Sequence, residues 1–162
     1  MKILAFIPAR SGSKGIRNKN MAMFNKKPLI YYTLKTVKKI DKDIFPFVST
    51  DSKEIKKYCE KKGIKSDYLR PKILSKDNST IYSAINHAID WLRKNKNKIF
   101  ESVLLLQPTS PLRDLKELKS AVKQFKRKKL QSLVSVTRMK EHPYECIKYV
   151  NKKWDYLVKN PS

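Results

Sequence analysis

Short apolar runs alternate along the chain with segments whose apolar residues recur at every third or fourth position. The short runs are rich in β-branched residues and predict strands at 3–7, 47–49, 66–69, 102–107 and 133–136. The periodic segments predict helices at 29–39, 53–62, 80–94 and 115–128. Alternating strands and helices are typical of a parallel sheet covered by helices. The predicted fold class is therefore α/β, a mostly parallel sheet with helices on both faces.

The predicted helices carry start and stop signals. Asp51 and Asp114 each stand three residues before a glutamate at the start of a helix, so both are expected to cap a helix N-terminus. Pro28 suits the first turn of the first helix, and Gly63 suits the position just after the second. These signals agree with the periodicity.

The last part of the chain is less regular. The alternation weakens after Thr137, and 147–150 with 156–158 is expected to form a β-ribbon. No linker or internal repeat divides the sequence, so 1–162 is expected to form a single domain.

The formal net charge is +24, from 38 basic and 14 acidic residues. Such a charge can attract nucleic acid or anionic lipid. However, 31 of the basic residues are lysines spread along the whole chain, as expected for a solvated surface. No apolar run approaches the roughly 18 residues of a membrane-spanning helix, and the two cysteines suit a reducing compartment. We therefore expect a cytoplasmic protein with no nucleic-acid or membrane partner.

The loop after the first predicted strand has the composition of a phosphate-binding loop. Residues 8–20 read PARSGSKGIRNKN and hold two of the three glycines of the chain, four cations and two serines. Glycine lets backbone N–H groups approach a phosphate, and cations neutralise it. Because GxxxxGK[ST] and GxGxxG are both absent, it is neither a Walker loop nor a dinucleotide fingerprint.

Arginine is scarce and concentrated near the predicted strand ends. Of only seven arginines, four fall in loops just beyond predicted strands: Arg10, Arg17, Arg70 and Arg113. The planar guanidinium suits two-point binding of a phosphate, a carboxylate or a base edge. The segment 104–113, LLLQPTSPLR, likewise runs from a buried strand into a loop stiffened by two prolines. Ligands bind at this edge of open α/β sheets.

These motifs together resemble the acylneuraminate cytidylyltransferase family, which comprises the CMP-sialic acid synthetases and their legionaminate and pseudaminate relatives. The matching pieces are IPARSGSKGIRNKN at 7–20, STDS at 49–52, LRP at 69–71, LSKDNST at 74–80, LLQPTSPLR at 105–113 and SLVSVT at 132–137, with a weaker EHPY at 141–144. The resemblance implies a Rossmann-like nucleotidyltransferase fold. It also implies transfer of CMP from CTP to the anomeric hydroxyl of an acidic 2-keto sugar, with release of pyrophosphate.

The resemblance assigns roles residue by residue. Arg10 and Lys19 would be catalytic, with Arg10 on the triphosphate and Lys19 neutralising the charge that builds on it, while Arg70 would lie beside the cytosine. The nucleotide-binding set is Ala9, Arg10, Ser11, Gly12, Ser13, Lys14, Gly15, Lys19, Asn20, Arg70, Asp77 and Ser79. The sugar-binding set is Gln107, Thr109, Ser110 and Arg113.

The resemblance also implies features beyond this chain. Family members continue past the position of Ser162 into a segment with paired aspartates that bind the catalytic Mg²⁺ and with dimer contacts. We therefore expect a truncated chain with no metal ligands of its own, weakly active or inactive alone, from a protein that is a homodimer when full length. Asp51 is the alternative metal candidate, although a helix cap explains it. His87 is expected to be a surface residue and His142 a loop contact.

Two other functions remain open at this stage. One is a cytidylyltransferase for another acidic sugar such as Kdo, because most sugar-site residues of the family lie outside the matched motifs. The other is a non-enzymatic basic module that binds polyanions, for which the net charge is the argument.

Overall fold

The computed structural model describes residues 1–12, 15–138 and 146–158. The chain divides into two compact units, Met1–Lys129 and Leu130–Ser162, and each is described by itself. The single domain expected for 1–162 stays a prediction.

The first unit is built on a three-stranded parallel sheet. Strand β1 (Ile3–Pro8) is central, with β4 (Ile44–Ser49) on one side and β5 (Ser102–Leu105) on the other. In register, Ile3 lies opposite both Ile44 and Ser102. All three strands therefore end at the same edge of the sheet.

The two faces of β1 contact different cores. Ile3, Ala5 and Ile7 pack against helices α1 (Leu29–Val37), α2 (Lys53–Lys61) and α4 (Leu115–Lys128) on one face. Leu4 and Phe6 pack against α3 (Ile81–Lys96) on the other. Residues 3–7 are buried on both sides, which explains why this strand is a continuous apolar run rather than an alternating one. The predicted α/β class with helices on both faces is confirmed.

The four helices coincide with the predicted ones to within two residues at each end. A small hairpin, β2 (Met23–Phe24) with β3 (Lys27–Pro28), precedes α1, and short 3₁₀ turns occupy Lys19–Met21 and Lys72–Ser75. Gly63 adopts φ +77° directly after α2, as predicted for a helix end. Asp114 caps α4, because its carboxylate accepts from the amide of Glu117 at 2.9 Å.

Two predicted strands and one predicted cap are wrong. Residues 66–69 form no strand, because Tyr68 is buried in the core and, among the described residues, the only backbone bond of this segment near the sheet is from Arg70 N to the carbonyl of Thr50, just beyond the end of β4. Ser52, not Asp51, caps α2, since its hydroxyl accepts from the amide of Ile55 at 3.2 Å. Asp51 has other partners, described with the site.

The second unit contains an antiparallel hairpin of β6 (Ile147–Val150) and β7 (Lys153–Tyr156) around Asn151 and Lys152. The predicted ribbon is confirmed, with its second strand starting earlier than expected. Residues 133–136 are exposed and pair with no strand in the described part of this unit, so the strand predicted there is not formed.

None of the described helices combines the length and the apolar character needed to cross a membrane. Both cysteines are free thiols. Burial, with a smaller contribution from Glu60, raises the pKa of the Cys59 thiol to about 12.

Replacing Ser52 with alanine is expected to lower the free energy of unfolding by about 1 kcal/mol, because α2 loses its N-terminal acceptor. Urea denaturation followed by circular dichroism measures the change. Ser52→Asp is the matched control, since it restores an acceptor and should keep wild-type stability. Equal stability of Ser52→Ala and the wild type would show that the cap is misassigned.

Candidate active site

A cleft of about 450 Å³ opens at the edge where the parallel strands end. Its walls come from the loop after β1, from the segment between α2 and α3 and from the loop after β5. The loops after β1 and β5 meet here because parallel pairing places their starting points side by side. The segment between α2 and α3 is joined to the same edge by hydrogen bonds from Arg70 to Ser49 and Thr50. The lining includes these predicted residues: Arg10, Gly15, Lys19, Asn20, Arg70, Asp77, Ser79, Gln107 and Thr109.

Arg10 ties the first loop to the segment between α2 and α3. Its Nη2 forms an ion pair with Asp77 Oδ1 at 2.8 Å, and its Nη1 donates to the carbonyl of Ser75 at 3.2 Å. Both partners of the ion pair remain partly exposed to the cleft, so water screens the attraction. Buried Asn20 supports the same loop, since its side-chain amide donates to the carbonyl of Arg10 at 2.9 Å.

Arg70 lies at the buried end of the cleft, with 5% of its surface exposed. Its Nε donates to Ser49 Oγ at 2.8 Å and its Nη2 to the carbonyl of Ser49 at 2.6 Å. Burial lowers the pKa of this guanidinium, and the neighbouring hydroxyl of Tyr68 and carboxylate of Asp51 partly offset that shift. Among the described residues no carboxylate forms a salt bridge with it, so Arg70 is a desolvated cation held by neutral groups.

Asp51 holds the start of the first loop. Its Oδ1 accepts from the backbone N–H of Ser11 at 2.8 Å and its Oδ2 from the Ser11 hydroxyl at 2.7 Å. The helix cap predicted for Asp51 is wrong because this clamp uses both of its oxygens while the hydroxyl of the next residue caps α2. The same two bonds leave Asp51 poorly suited to the metal role considered for it.

Two of the four residues predicted to bind the sugar line the cleft, and two do not. Gln107 and Thr109 line the cleft, but Ser110 and Arg113 do not. Arg113 instead donates to Thr33 Oγ1 at 3.2 Å and to the carbonyl of Gln107, and burial lowers its pKa. Arg113 thereby supports the backbone of the loop rather than facing the cleft.

Three other predicted nucleotide-binding residues are not among the cleft-lining ones: Ala9, Ser11 and Gly12. Ala9 is fully buried, and its amide extends the sheet by donating to the carbonyl of Ser49 at 2.9 Å. Ser13, Lys14 and His142 lie outside the described residues.

His87 differs from its predicted place on the surface. It is half-buried on α3, and its Nδ1 lies 3.0 Å from the hydroxyl of Tyr68. No local pattern indicates this pair, because neither residue belongs to a recognisable motif and their contact joins positions 19 residues apart.

The cleft also has lining residues that were not assigned to the predicted sets. Lys76 and Thr80 lie in the motif at 74–80, and Ile81 and Ala84 come from the first turn of α3. The helical periodicity could have indicated Ile81 and Ala84, since both belong to the apolar stripe of the helix. Arg10, Lys19, Arg70 and Lys76 against Asp77 make the described lining net positive. A positively charged cleft at the ends of parallel strands is typical of α/β proteins that bind nucleotides or phosphates.

Comparison with known proteins agrees with that class. The sequence model of the cytidylyltransferase family matches residues 4–154. The chain belongs to the cytidylyltransferase family. Among solved structures, CMP:2-keto-3-deoxy-manno-octonic acid synthetase complexed with CTP superposes with a TM-score of 0.63 at 16% identity, over 78% of this chain and 48% of that one. A cytidylyltransferase from Leptospira borgpetersenii gives 0.58 at 21% identity, over 78% and 50%. These likenesses show the fold.

Relatives found by sequence comparison share a higher identity with this chain than these two structures do. An N-acylneuraminate cytidylyltransferase from Escherichia coli O18:K1:H7 is 42% identical over 85% of this chain and 32% of its own length. A CMP-N,N'-diacetyllegionaminic acid synthase from Legionella pneumophila is 38% identical over 90% and 62%. A pseudaminic acid cytidylyltransferase from Campylobacter jejuni is 35% identical over 93% and 64%. The chain therefore spans between about one third and two thirds of the length of these three relatives.

Asp51→Ala is expected to loosen the first loop, because Ser11 loses both of its acceptors. Hydrogen–deuterium exchange should show amides of residues 9–12 exchanging at least about 10-fold faster, as expected for loss of bonds to a charged group. Asp51→Asn retains one oxygen acceptor and should lie close to the wild type. Unchanged exchange in Asp51→Ala would contradict the assigned clamp.

Proposed function

We propose that this chain forms the CTP-binding part of an enzyme that transfers CMP from CTP to the anomeric hydroxyl of an acidic 2-keto sugar and releases pyrophosphate. The observation that carries the proposal is the meeting of Arg10, Lys19, Arg70 and Gln107 in one cleft. The names of the relatives support this class of sugar, since the acids they mention are N-acylneuraminic, pseudaminic and legionaminic acid.

The charges of the cleft suit a triphosphate. Lys19 lines the cleft and forms no ion pair within the described residues, so its ammonium is available to an anion. Arg10 lies nearby but is shared with Asp77. A triphosphate that binds in this cleft forms charge-assisted hydrogen bonds with one edge of the Arg10 guanidinium. We assign the phosphates to the Arg10 and Lys19 side of the cleft.

The base belongs at the Arg70 end. Arg70 can only donate hydrogen bonds, and its Nη1 has no partner in the described structure. Cytosine offers two neighbouring acceptors, N3 and O2, whereas uracil carries a hydrogen on N3. A donor-only group at this point therefore favours cytosine over uracil. The apolar side chains of Ile81 and Ala84 provide a wall beside it.

The reaction then needs alignment and charge stabilisation. The sugar hydroxyl must attack the α-phosphorus opposite the leaving pyrophosphate, and holding both reactants in that geometry lowers the barrier. Lys19 and Arg10 stabilise negative charge that develops on the phosphates. Gln107 and Thr109, on the loop after β5, are assigned to the acceptor sugar, and Arg113 keeps the Gln107 backbone in place.

The Mg²⁺ implied by the resemblance is a further part of the proposal. A divalent cation would reduce repulsion between the phosphates and the attacking oxygen. In the described ranges no group of three or more His, Cys, Asp or Glu side chains could hold a metal ion, and both oxygens of Asp51 are used by Ser11. The residues present do not fit a protein-held metal, so no step is assigned to it here. A homodimer likewise stays a prediction.

Binding measurements separate the two ends of the cleft. Lys19→Ala is expected to weaken CTP binding about 10-fold, the typical loss for one charge-assisted contact, while leaving cytidine binding unchanged. Arg70→Ala is expected to weaken binding of both ligands, because it acts on the base. Isothermal titration calorimetry with CTP, UTP and cytidine measures these effects.

Lys57→Ala is the matched control for net charge. Lys57 is exposed on α2 and outside the cleft, so its removal should leave CTP binding unchanged. If Lys57→Ala weakens CTP binding as much as Lys19→Ala, and inorganic triphosphate binds as tightly as CTP, the chain is a general polyanion binder and the enzymatic proposal fails.

A single-turnover assay with excess protein, CTP and Mg²⁺ tests the sugar. N-acetylneuraminate, legionaminate, pseudaminate and Kdo are offered separately, and mass spectrometry detects the CMP-sugar. Because this chain is expected to be weakly active at most, we expect a small amount of product, formed from at least one of the first three acids and exceeding the amount formed from Kdo. Product from Kdo alone would move the assignment to the alternative acidic sugar.

A further inference from the structure

Residues 72–79 form a strap that leads from the buried Arg70 towards α3, and the structure describes all of them. None of them packs in either of the two described apolar cores, and Ile73 is 67% exposed. A segment that buries so little apolar surface opens locally at a low free energy. The position of the strap therefore depends on its polar contacts.

Arg10, on the loop after β1, supplies two of those contacts. Its Nη2 pairs with Asp77 Oδ1 at 2.8 Å, and its Nη1 donates to the carbonyl of Ser75 at 3.2 Å. The strap is also braced between its own ends, because the hydroxyl of Ser79 donates to the carbonyl of Ile73 at 2.7 Å. One guanidinium therefore holds a segment that moves as a unit.

Ser75 indicates that Arg10 holds the strap against its own preference. The hydroxyl oxygen of Ser75 is shielded from solvent and has no hydrogen-bond partner among the described residues. A buried polar atom without a partner is costly, and most such atoms in proteins are satisfied. The contacts with Arg10 therefore keep the strap in a conformation that its own hydrogen bonds do not favour.

The same guanidinium is assigned to the phosphates of CTP. In the Arg10–Asp77 pair the two side chains are 34% and 46% exposed. Ion pairs this open to water change an equilibrium constant by about 5-fold at most. A triphosphate carries several negative charges and presents two oxygens to the planar fork of an arginine. Phosphate is therefore the stronger partner, and Arg10 loses its contact with Asp77 when phosphate binds.

We propose that the Arg10–Asp77 pair is a latch, which the phosphates of the bound nucleotide open by displacing Asp77 and releasing the strap. When pyrophosphate leaves, Asp77 pairs with Arg10 again. The carboxylate thus competes with the product for one cation and promotes its release. Asp77 is a positioning residue that acts through Arg10 rather than through contact with the nucleotide. The proposal rests on the CTP-binding function proposed above.

Asp77→Ala in the complete 162-residue chain is the direct test. Isothermal titration calorimetry should show CTP and inorganic pyrophosphate binding about 3- to 5-fold tighter than in the wild type, because phosphate no longer has to displace a carboxylate. Removing a residue that only supports the fold or contacts the nucleotide would leave the affinity unchanged or lower it. An affinity for CTP at or below the wild-type value therefore overturns the proposal.

Relaxation of ¹⁵N nuclei reports the release of the strap. Without ligand, the backbone order parameters of residues 72–79 should be about 0.85 in the wild type and fall towards about 0.6 in Asp77→Ala. Saturating CTP should lower them in the wild type and add nothing in Asp77→Ala, whereas cytidine, which has no phosphate, should change neither chain. A strap that stays rigid in ligand-free Asp77→Ala, or in the wild type with CTP, overturns the proposal.

Asp90→Ala is the matched control. Asp90 also pairs with an arginine, Arg93 at 3.0 Å, but it is exposed on α3 and does not line the cleft. This variant changes the net charge by the same amount and should keep the wild-type affinity for CTP and the wild-type order parameters. Equal tightening in both variants would overturn the proposal, because loss of any negative charge would then have the same effect.

Loss of the proposed function and loss of the latch are distinguishable. A wild-type chain that does not bind CTP would overturn the proposed function. The order parameters of ligand-free Asp77→Ala still test the latch in that case, because they require no nucleotide.

Discussion

Parallel pairing of β1 with both of its neighbours is the constraint on which the rest of the structure depends. Residues 3–7 are buried on both faces, so the strand cannot shift its register without exposing one of two apolar cores. With that register fixed, β1, β4 and β5 end at one edge of the sheet. The loop that leaves β1 carries Arg10 and Lys19, and Arg70 is held at the same edge by its hydrogen bonds to Ser49, the last residue of β4.

The cleft combines two kinds of cation. Arg10 and Lys19 are partly exposed and sit on loops, where they can meet a phosphate with little reorganisation of the core. Arg70 is buried and fixed by Ser49. A partly exposed cation suits a phosphate that changes during reaction, whereas a buried, fixed donor suits a base edge that must be distinguished from a close analogue. The division of the cleft follows from this difference in burial.

The sequence predicted the features that local patterns encode. Helical periodicity located all four helices, and the motif positions of Arg10, Lys19, Arg70 and Gln107 identified residues that share a cleft. Contacts between segments distant in sequence could not be predicted from these local patterns. Asp51 has the spacing of a cap, but the clamp on Ser11 depends on the pairing of two strands. Tyr68 belongs to the segment 66–69 that was predicted as a strand, yet its side chain is buried between β4 and α3. The exposed run 133–136 has strand composition but pairs with no strand in the described part of its unit, which composition cannot reveal.

The central claim is that three loops at one sheet edge bind a single cytidine triphosphate. Titration of the ¹⁵N-labelled chain with CTP, followed by two-dimensional NMR, tests it most directly. The account predicts amide shift changes concentrated at Gly15, Lys19, Arg70, Gln107 and Thr109, saturating together with one dissociation constant. Changes spread over the lysine-rich outer faces of the helices, or separate dissociation constants for the three loops, would contradict it.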